Sequence, residues 1–228
     1  MTKLFVFSSF VWISSLLISC GNKEQAKEPA KTNDSTTEMT AGRQPVKTIL
    51  FFGNSLTAGF GLEPTEAFPS LMQQKIDSLG LNYKTINAGV SGETSAGGNS
   101  RIDWILKSPV DVFVLELGAN DGLRGIPVTE TRKNLQSIID KVKAKYPQAK
   151  LVLAGMQVPP NMGQKYATDF RKTYTDLAKQ NNMILIPFLL EGVGGNASLN
   201  QADGIHPNVE GEKIVAENVW KALQGVLE

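Results

Sequence analysis

A single histidine, His206, stands in the string DGIHP, three residues after Asp203. Histidine is the usual side chain for moving protons near neutral pH, so hydrolysis by an imidazole base has one candidate here. A serine hydroxyl is a poor nucleophile until such a base lies within hydrogen-bond reach. Ser55, in GNSLTAG (53–59), is the expected nucleophile, and Asp203 is close enough to accept from His206 Nδ1 and fix its tautomer. The oxyanion formed on attack needs preorganised donors. Those expected are the backbone N–H groups of Ser55 and Gly89 and the side-chain amide of Asn120. Gly89 suits the role because a missing Cβ lets the backbone approach a substrate closely. Singly, each residue has a plainer reading. A serine after a strand often caps a helix, a lone loop histidine is often a surface residue, and GAND (118–121) can be a simple turn. Ser55 also lacks the G-x-S-x-G elbow, since the string reads G-N-S-L-T.

Positioning these residues together requires a particular kind of scaffold. Apolar runs rich in β-branched and aromatic residues predict strands over 48–53, 83–90, 110–118, 150–156 and 183–188. Near-continuous hydrophobicity suits parallel strands covered on both faces. Between them lie helical-period stretches over 67–79, 129–146 and 164–180. In 129–146 the residues Leu135, Ile138, Ile139, Val142 and Tyr146 share one face before Pro147 stops the helix. A last helix is expected from an Asn208 N-cap to about Leu223, with Ile214, Val215, Val219 and Leu223 inward. Five strands interleaved with helices predict an α/β fold, a three-layer α/β/α sandwich with a five-stranded parallel sheet in the order 2-1-3-4-5. In such sheets ligands bind beyond the carboxyl ends of the strands. GNSLTAG, NAGVSGETSAGG (87–98) and GAND each follow a strand, so all three converge on that edge, with DGIHP in the last loop before the final helix.

The chain has 228 residues, a formal net charge of +1 and one cysteine. Mixed charges leave no basic stripe for nucleic acid. One Cys and one His exclude an intrachain disulfide and make the usual zinc ligand sets unavailable. Lys3 followed by the apolar run 4–18 reads as an export signal, too short to span a bilayer comfortably. It ends in Leu17-Ile18-Ser19-Cys20, a pattern that resembles a bacterial lipobox. That resemblance implies a signal peptide over 1–19, diacylation of Cys20 and a membrane-anchored lipoprotein of the bacterial cell envelope, periplasmic or surface facing. The alternative is an ordinary secretory signal. Residues 20–45 carry Lys, Glu, Thr and Pro with little to bury and read as a tether. The catalytic domain is expected over 46–228, the size of one domain.

The strings GNSLTAGFGL, NAGVSGETSAGG, ELGANDGLRG, AGMQVPPNMG (154–163) and NQADGIHPN resemble the SGNH (GDSL) hydrolase family across nearly all of 46–228. They are most similar to its bacterial arylesterase and multifunctional thioesterase/lysophospholipase branch. Ser55, Gly89, Asn120 and His206 match the family's motif residues, with Asp203 completing the Asp-x-x-His pair. The fold implied is the flavodoxin-like sandwich already expected. One departure stands beside the nucleophile, where Asn54 replaces the family's usual Asp. It either retunes the site or is only a turn residue.

The resemblance further implies an apolar acyl groove lined by Leu123, Ile126, Pro127, Met156, Val158, Pro159, Pro160 and Met162, with ordinary core packing as the alternative. Arg101 and Arg124 read as structural or solvated rather than as substrate contacts. The expected activity is serine esterase hydrolysis through an acyl-enzyme on Ser55, without metal or organic cofactor. The substrates would be aryl or short-chain esters, lysophospholipid or thioesters, acted on by a monomer. The rivals are a carbohydrate or cell-wall O-acetyl esterase and a catalytically silent lipid-binding lipoprotein.

Overall fold

Register explains why three separate motifs meet. The computed structural model describes residues 45–227. In it β1 (Lys47–Gly53) runs parallel to both β2 (Tyr83–Gly89) and β3 (Val112–Glu116). Gly53 pairs with Gly89 on one side and with Glu116 on the other, so the three strands stop level and release their loops at one edge. Then β4 (Lys150–Ala154) and β5 (Ile184–Ile186) complete a parallel sheet in the order 2-1-3-4-5.

The central strands form because every residue of 48–53 and 112–116 is buried, as their unbroken apolar runs require. β3 is shorter than the apolar run that predicts it. Before it, the Asp111 carboxylate accepts from the Thr48 N–H at 2.7 Å, and after it Gly118 turns the chain at φ 111°.

Two helical layers cover the sheet. On one side α2 (Phe68–Ser78) packs against the C-terminal α7 (Val209–Leu223). On the other, α5 (Val128–Lys145) packs between α3 (Ser95–Ile105) and α6 (Gln164–Asn181). α5 buries Leu135, Ile138, Ile139 and Val142, the expected face. α7 starts at Asn208, whose Oδ1 accepts from the N–H groups of Glu210 and Gly211. The short helices α1 (Ser55–Ala58) and α4 (Ala119–Leu123) follow β1 and β3. α3 is not legible from periodicity, because SAGGNS offers few apolar residues to count. It forms with Thr94 as N-cap, accepting from Gly97 N–H, and its Gly98 lets the helix lie against Leu117 and Phe52. Cys20, the expected signal segment and all but the end of the tether lie outside the described residues.

Candidate active site

Asn54 caps α1, its Oδ1 accepting from Leu56 N–H at 3.0 Å, and this places Ser55 at the first helical position directly beyond β1. Ser55 is 7 % exposed and opens into a cavity of about 610 Å³. Facing it, His206 Nε2 lies 2.9 Å from Ser55 Oγ, while His206 Nδ1 lies 2.7 Å from Asp203 Oδ2.

The loop carrying His206 is fixed by its own backbone. Asp203 Oδ1 accepts from the N–H groups of Ile205 and His206, each at 3.0 Å, and Gln201 N–H donates to the His206 carbonyl at 2.8 Å. The Phe60 ring packs on the imidazole with centroids 4.6 Å apart. The hydrogen bond from His206, with those from the Ile205 and His206 N–H groups, holds the Asp203 carboxyl down at about 2. An ionised carboxylate only accepts, so Nδ1 carries the imidazole proton and Nε2 is left to receive one from Ser55 Oγ.

The oxyanion assignment needs one correction. Gly89 does not face the cavity. It lies at the strand end, its N–H donates to Asn87 Oδ1 at 2.9 Å, and a Cβ there would collide with the backbone of Asn54 and Ala58. Gly89 is therefore a close-packing glycine beneath α1, with its donor already used. Gly92, three residues on, lines the cavity at φ 78°. Among the described residues, the N–H groups of Ser55 and Gly92 make no hydrogen bond. Asn120 also lines the cavity, and its Nδ2 donates to the Glu93 carbonyl at 3.0 Å. Ser55 N–H, Gly92 N–H and Asn120 Nδ2 are thus the candidate oxyanion donors among these cavity-lining residues. The signal in the sequence was the second glycine of NAGVSG, since the first is consumed in pairing with Gly53.

Five of the eight expected groove residues line the cavity: Leu123, Met156, Val158, Pro159 and Pro160. Three do not. Ile126 turns its carbonyl to the Tyr166 hydroxyl at 2.7 Å, and Pro127 caps α5 on the exposed surface. Met162, at the end of a 3₁₀ turn over Pro160–Met162, lies toward Gly125. Sequence reasoning missed Phe60, Phe188, Leu190 and Ile205, which complete the apolar wall from loops distant in the chain.

Both arginines bind the scaffold. Arg101 pairs with Glu93 at 2.6 Å, donates to the Ala88 carbonyl at 2.7 Å and covers the Phe52 ring. Arg124 Nη2 donates to the Gly92 carbonyl at 3.0 Å.

A group that sequence reasoning passed over lies under Ser55. The carboxylate of Glu116 is 1 % exposed and accepts from Asn54 N–H at 3.0 Å, Asn54 Nδ2 at 2.7 Å and Thr57 Oγ1 at 2.8 Å. Burial pushes it up to about 7, against the downward pull of these hydrogen bonds.

The model of the GDSL-like lipase/acylhydrolase family matches residues 51–214. Esterase TesA of Pseudomonas aeruginosa is 40% identical over 182 residues, covering 79% of this chain and 90% of the relative. The Escherichia coli protein named thioesterase 1/protease 1/lysophospholipase L1 is 37% identical over 178 residues, covering 78% and 83%. A crystal structure of TesA superposes with a TM-score of 0.76 at 40% identity, covering 79% of this chain and all of that one. The psychrotrophic esterase EstA from Pseudoalteromonas superposes with a TM-score of 0.74 at 33% identity, covering 78% and 97%.

Proposed function

The chain belongs to the GDSL-like lipase/acylhydrolase (SGNH) family and is a carboxylic ester hydrolase, and on that premise we propose that Ser55 is its nucleophile. One observation carries the assignment: the unbroken chain Ser55 Oγ–His206 Nε2 and His206 Nδ1–Asp203 Oδ2 at the mouth of an apolar cavity.

Ser55 Oγ attacks the ester carbonyl carbon while His206 Nε2 takes the hydroxyl proton. Negative charge then moves onto the carbonyl oxygen, where Ser55 N–H, Gly92 N–H and Asn120 Nδ2 receive it. A donor set of this kind is worth about 3–4 kcal/mol per donor in the transition state. Collapse breaks the bond to the alcohol oxygen, which leaves with the proton from His206, and Ser55 is acylated. Water, deprotonated by His206, repeats the attack and releases the acid. Asp203 orients the imidazole and stabilises its charged form throughout.

The Met156, Val158, Pro159, Phe188 and Leu190 wall supports an acyl chain of several carbons over acetyl, and so favours aryl, lysophospholipid or thioester substrates over polysaccharide acetyl groups. The lipobox-like end of the signal supports anchoring at Cys20 in the bacterial envelope, where the catalytic domain acts as a monomer. Two acyl chains hold a protein stably at a membrane where one is marginal. An ester panel graded from acetyl to long acyl, with lysophospholipid included, tests the activity. Peak turnover on medium or long acyl is expected, and an acetyl-only profile would overturn the groove assignment. Loss of membrane association in Cys20→Ala tests the anchor.

A further inference from the structure

Among the described residues no cation contacts the Glu116 carboxylate. Among the described residues its hydrogen-bond donors are the neutral groups of Asn54 and Thr57. An ionised carboxylate accepts only, so the Asn54 amide has to turn Nδ2 toward Glu116 Oε1. That choice fixes the other end of the amide. Asn54 Oδ1 then points to Leu56 N–H at 3.0 Å and to Ser55 Oγ at 3.4 Å.

We propose that Glu116 is a positioning residue for the nucleophile, acting through the Asn54 amide, and that asparagine at position 54 is what lets this buried carboxylate stand ionised there. With the family's usual Asp at 54, the 2.7 Å contact would join two carboxyl groups, which must share a proton. The amide brings its own hydrogens and removes that requirement. It also removes a competing charge from the neighbourhood of Ser55 Oγ. If the clamp fails, the amide can rotate and present Nδ2 to Ser55 Oγ, occupying the lone pair that attacks the substrate.

The surroundings of Glu116 are consistent with this. Asn54 and Thr57 contact it from the start of α1, and its charge reaches Tyr174 of α6, whose hydroxyl donates to the Leu117 carbonyl, and Glu212 of α7, raising both. From α3, Arg101 sends its guanidinium to the Gly53 carbonyl at 3.3 Å and to Glu93, not to Glu116. Burial of the carboxylate, opposed by the Asn54 and Thr57 bonds, brings its titration to about 7, so the clamp can weaken within the working pH range.

The inference rests on Ser55 being the nucleophile. Its test is a swap cycle in the full chain: Asn54→Asp, Glu116→Gln and the two together. The readouts are kcat and KM on an aryl ester from about pH 5 to about pH 9, and the rate of phosphonylation by an aryl alkylphosphonate. Glu116→Gln is expected to lower kcat by about 30-fold with KM unchanged. Asn54→Asp is expected to lose activity with rising pH and to add an ionisation that the parent lacks. The double variant reverses donor and acceptor and is expected to recover to within about 5-fold of the parent. A double variant no better than the product of the singles overturns the proposal. If Glu116→Gln does not fold, Asn54→Asp decides alone, because a pH profile superimposable on the parent's also overturns it. Failure of the underlying reading looks different: Ser55→Ala would then still hydrolyse the ester and still take the phosphonate.

Discussion

Arg124 holds Gly92 by its carbonyl, Nη2 to O at 3.0 Å, while Gly92 lines the cavity and its N–H makes no hydrogen bond among the described residues. Nothing else about Arg124 suggests a part in turnover, since it does not line the cavity. Its influence should pass through the peptide it steadies. Arg124→Ala is expected to reduce kcat by about 5–10-fold, the worth of roughly one modest hydrogen bond, with little change in KM. A raised KM with unchanged kcat would place Arg124 in substrate binding instead.

Removing the nucleophile or its base should be far more costly. Ser55→Ala and His206→Ala are each expected to lower kcat by about 10³-fold or more, and the double variant by little beyond the worse single. Retention of most esterase activity in Ser55→Ala would dismiss the assigned mechanism.

Asp203→Asn gives a sharper result because its amide has no freedom of orientation. The N–H groups of Ile205 and His206 both need the Oδ1 acceptor, so the introduced NH₂ must face His206 Nδ1. That forces the imidazole proton onto Nε2, where it cannot accept from Ser55. A fall in kcat of about 10²–10⁴-fold with an unchanged melting temperature is expected. Unaltered turnover would remove Asp203 from the reaction.

Activity against pH should not report the ionisation of Asp203. The His206 hydrogen bond keeps Asp203 ionised down to about 2, so the aspartate does not titrate in the assay range. An acid limb in the kcat profile above about pH 4 is therefore not expected from Asp203. Loss of turnover with an apparent value of about 4, that of an unpaired aspartate, would contradict the pairing.

Stability should show the opposite pH trend to carboxylates held in ion pairs. Burial pushes Glu212 from its ordinary 4.5 up to about 8, although Phe68 N–H donates to it at 2.7 Å. A raised folded value means that between 4.5 and about 8 the folded protein holds a proton that the unfolded chain releases. Stability therefore falls as pH rises through that window, by at most about 1.4 kcal/mol per pH unit for one group. Glu116 adds to the same trend up to about 7. Glu212→Gln keeps an acceptor for Phe68 and is expected to flatten the decline of melting temperature between about pH 5 and about pH 8. An equally steep decline in that variant would show the proton is held elsewhere.

What the sequence discloses depends on whether a feature is written locally. The strands at 48–53 and 112–116 are legible because burial on both faces demands continuous apolar runs, and Asn208 announces α7 through its side chain. Ser55, Asp203, His206 and Asn120 can be picked out because few residue types do their chemistry and the strand ends gather them. The exchange of Gly89 for Gly92 turns on register, since only the pairing with Gly53 reveals that the first glycine is still in the sheet. The cavity wall is least legible. Phe60, Phe188 and Leu190 arrive from loops separated by more than a hundred residues, and Ile126, Pro127 and Met162 point elsewhere for reasons of backbone geometry.

The level ends of β1, β2 and β3 divide the molecule into two inheritances. The proposed nucleophile, the proposed oxyanion donors and the buried carboxylate all hang from three strands whose register admits no slip without dismantling the set. Much of the apolar cavity wall hangs instead from the loops after β4 and β5, through Met156, Val158, Pro159, Phe188 and Leu190. Exchanging those two loops between relatives should transplant chain-length preference while leaving the bond-breaking apparatus intact, so substrate range can drift in this lineage at little risk to chemistry.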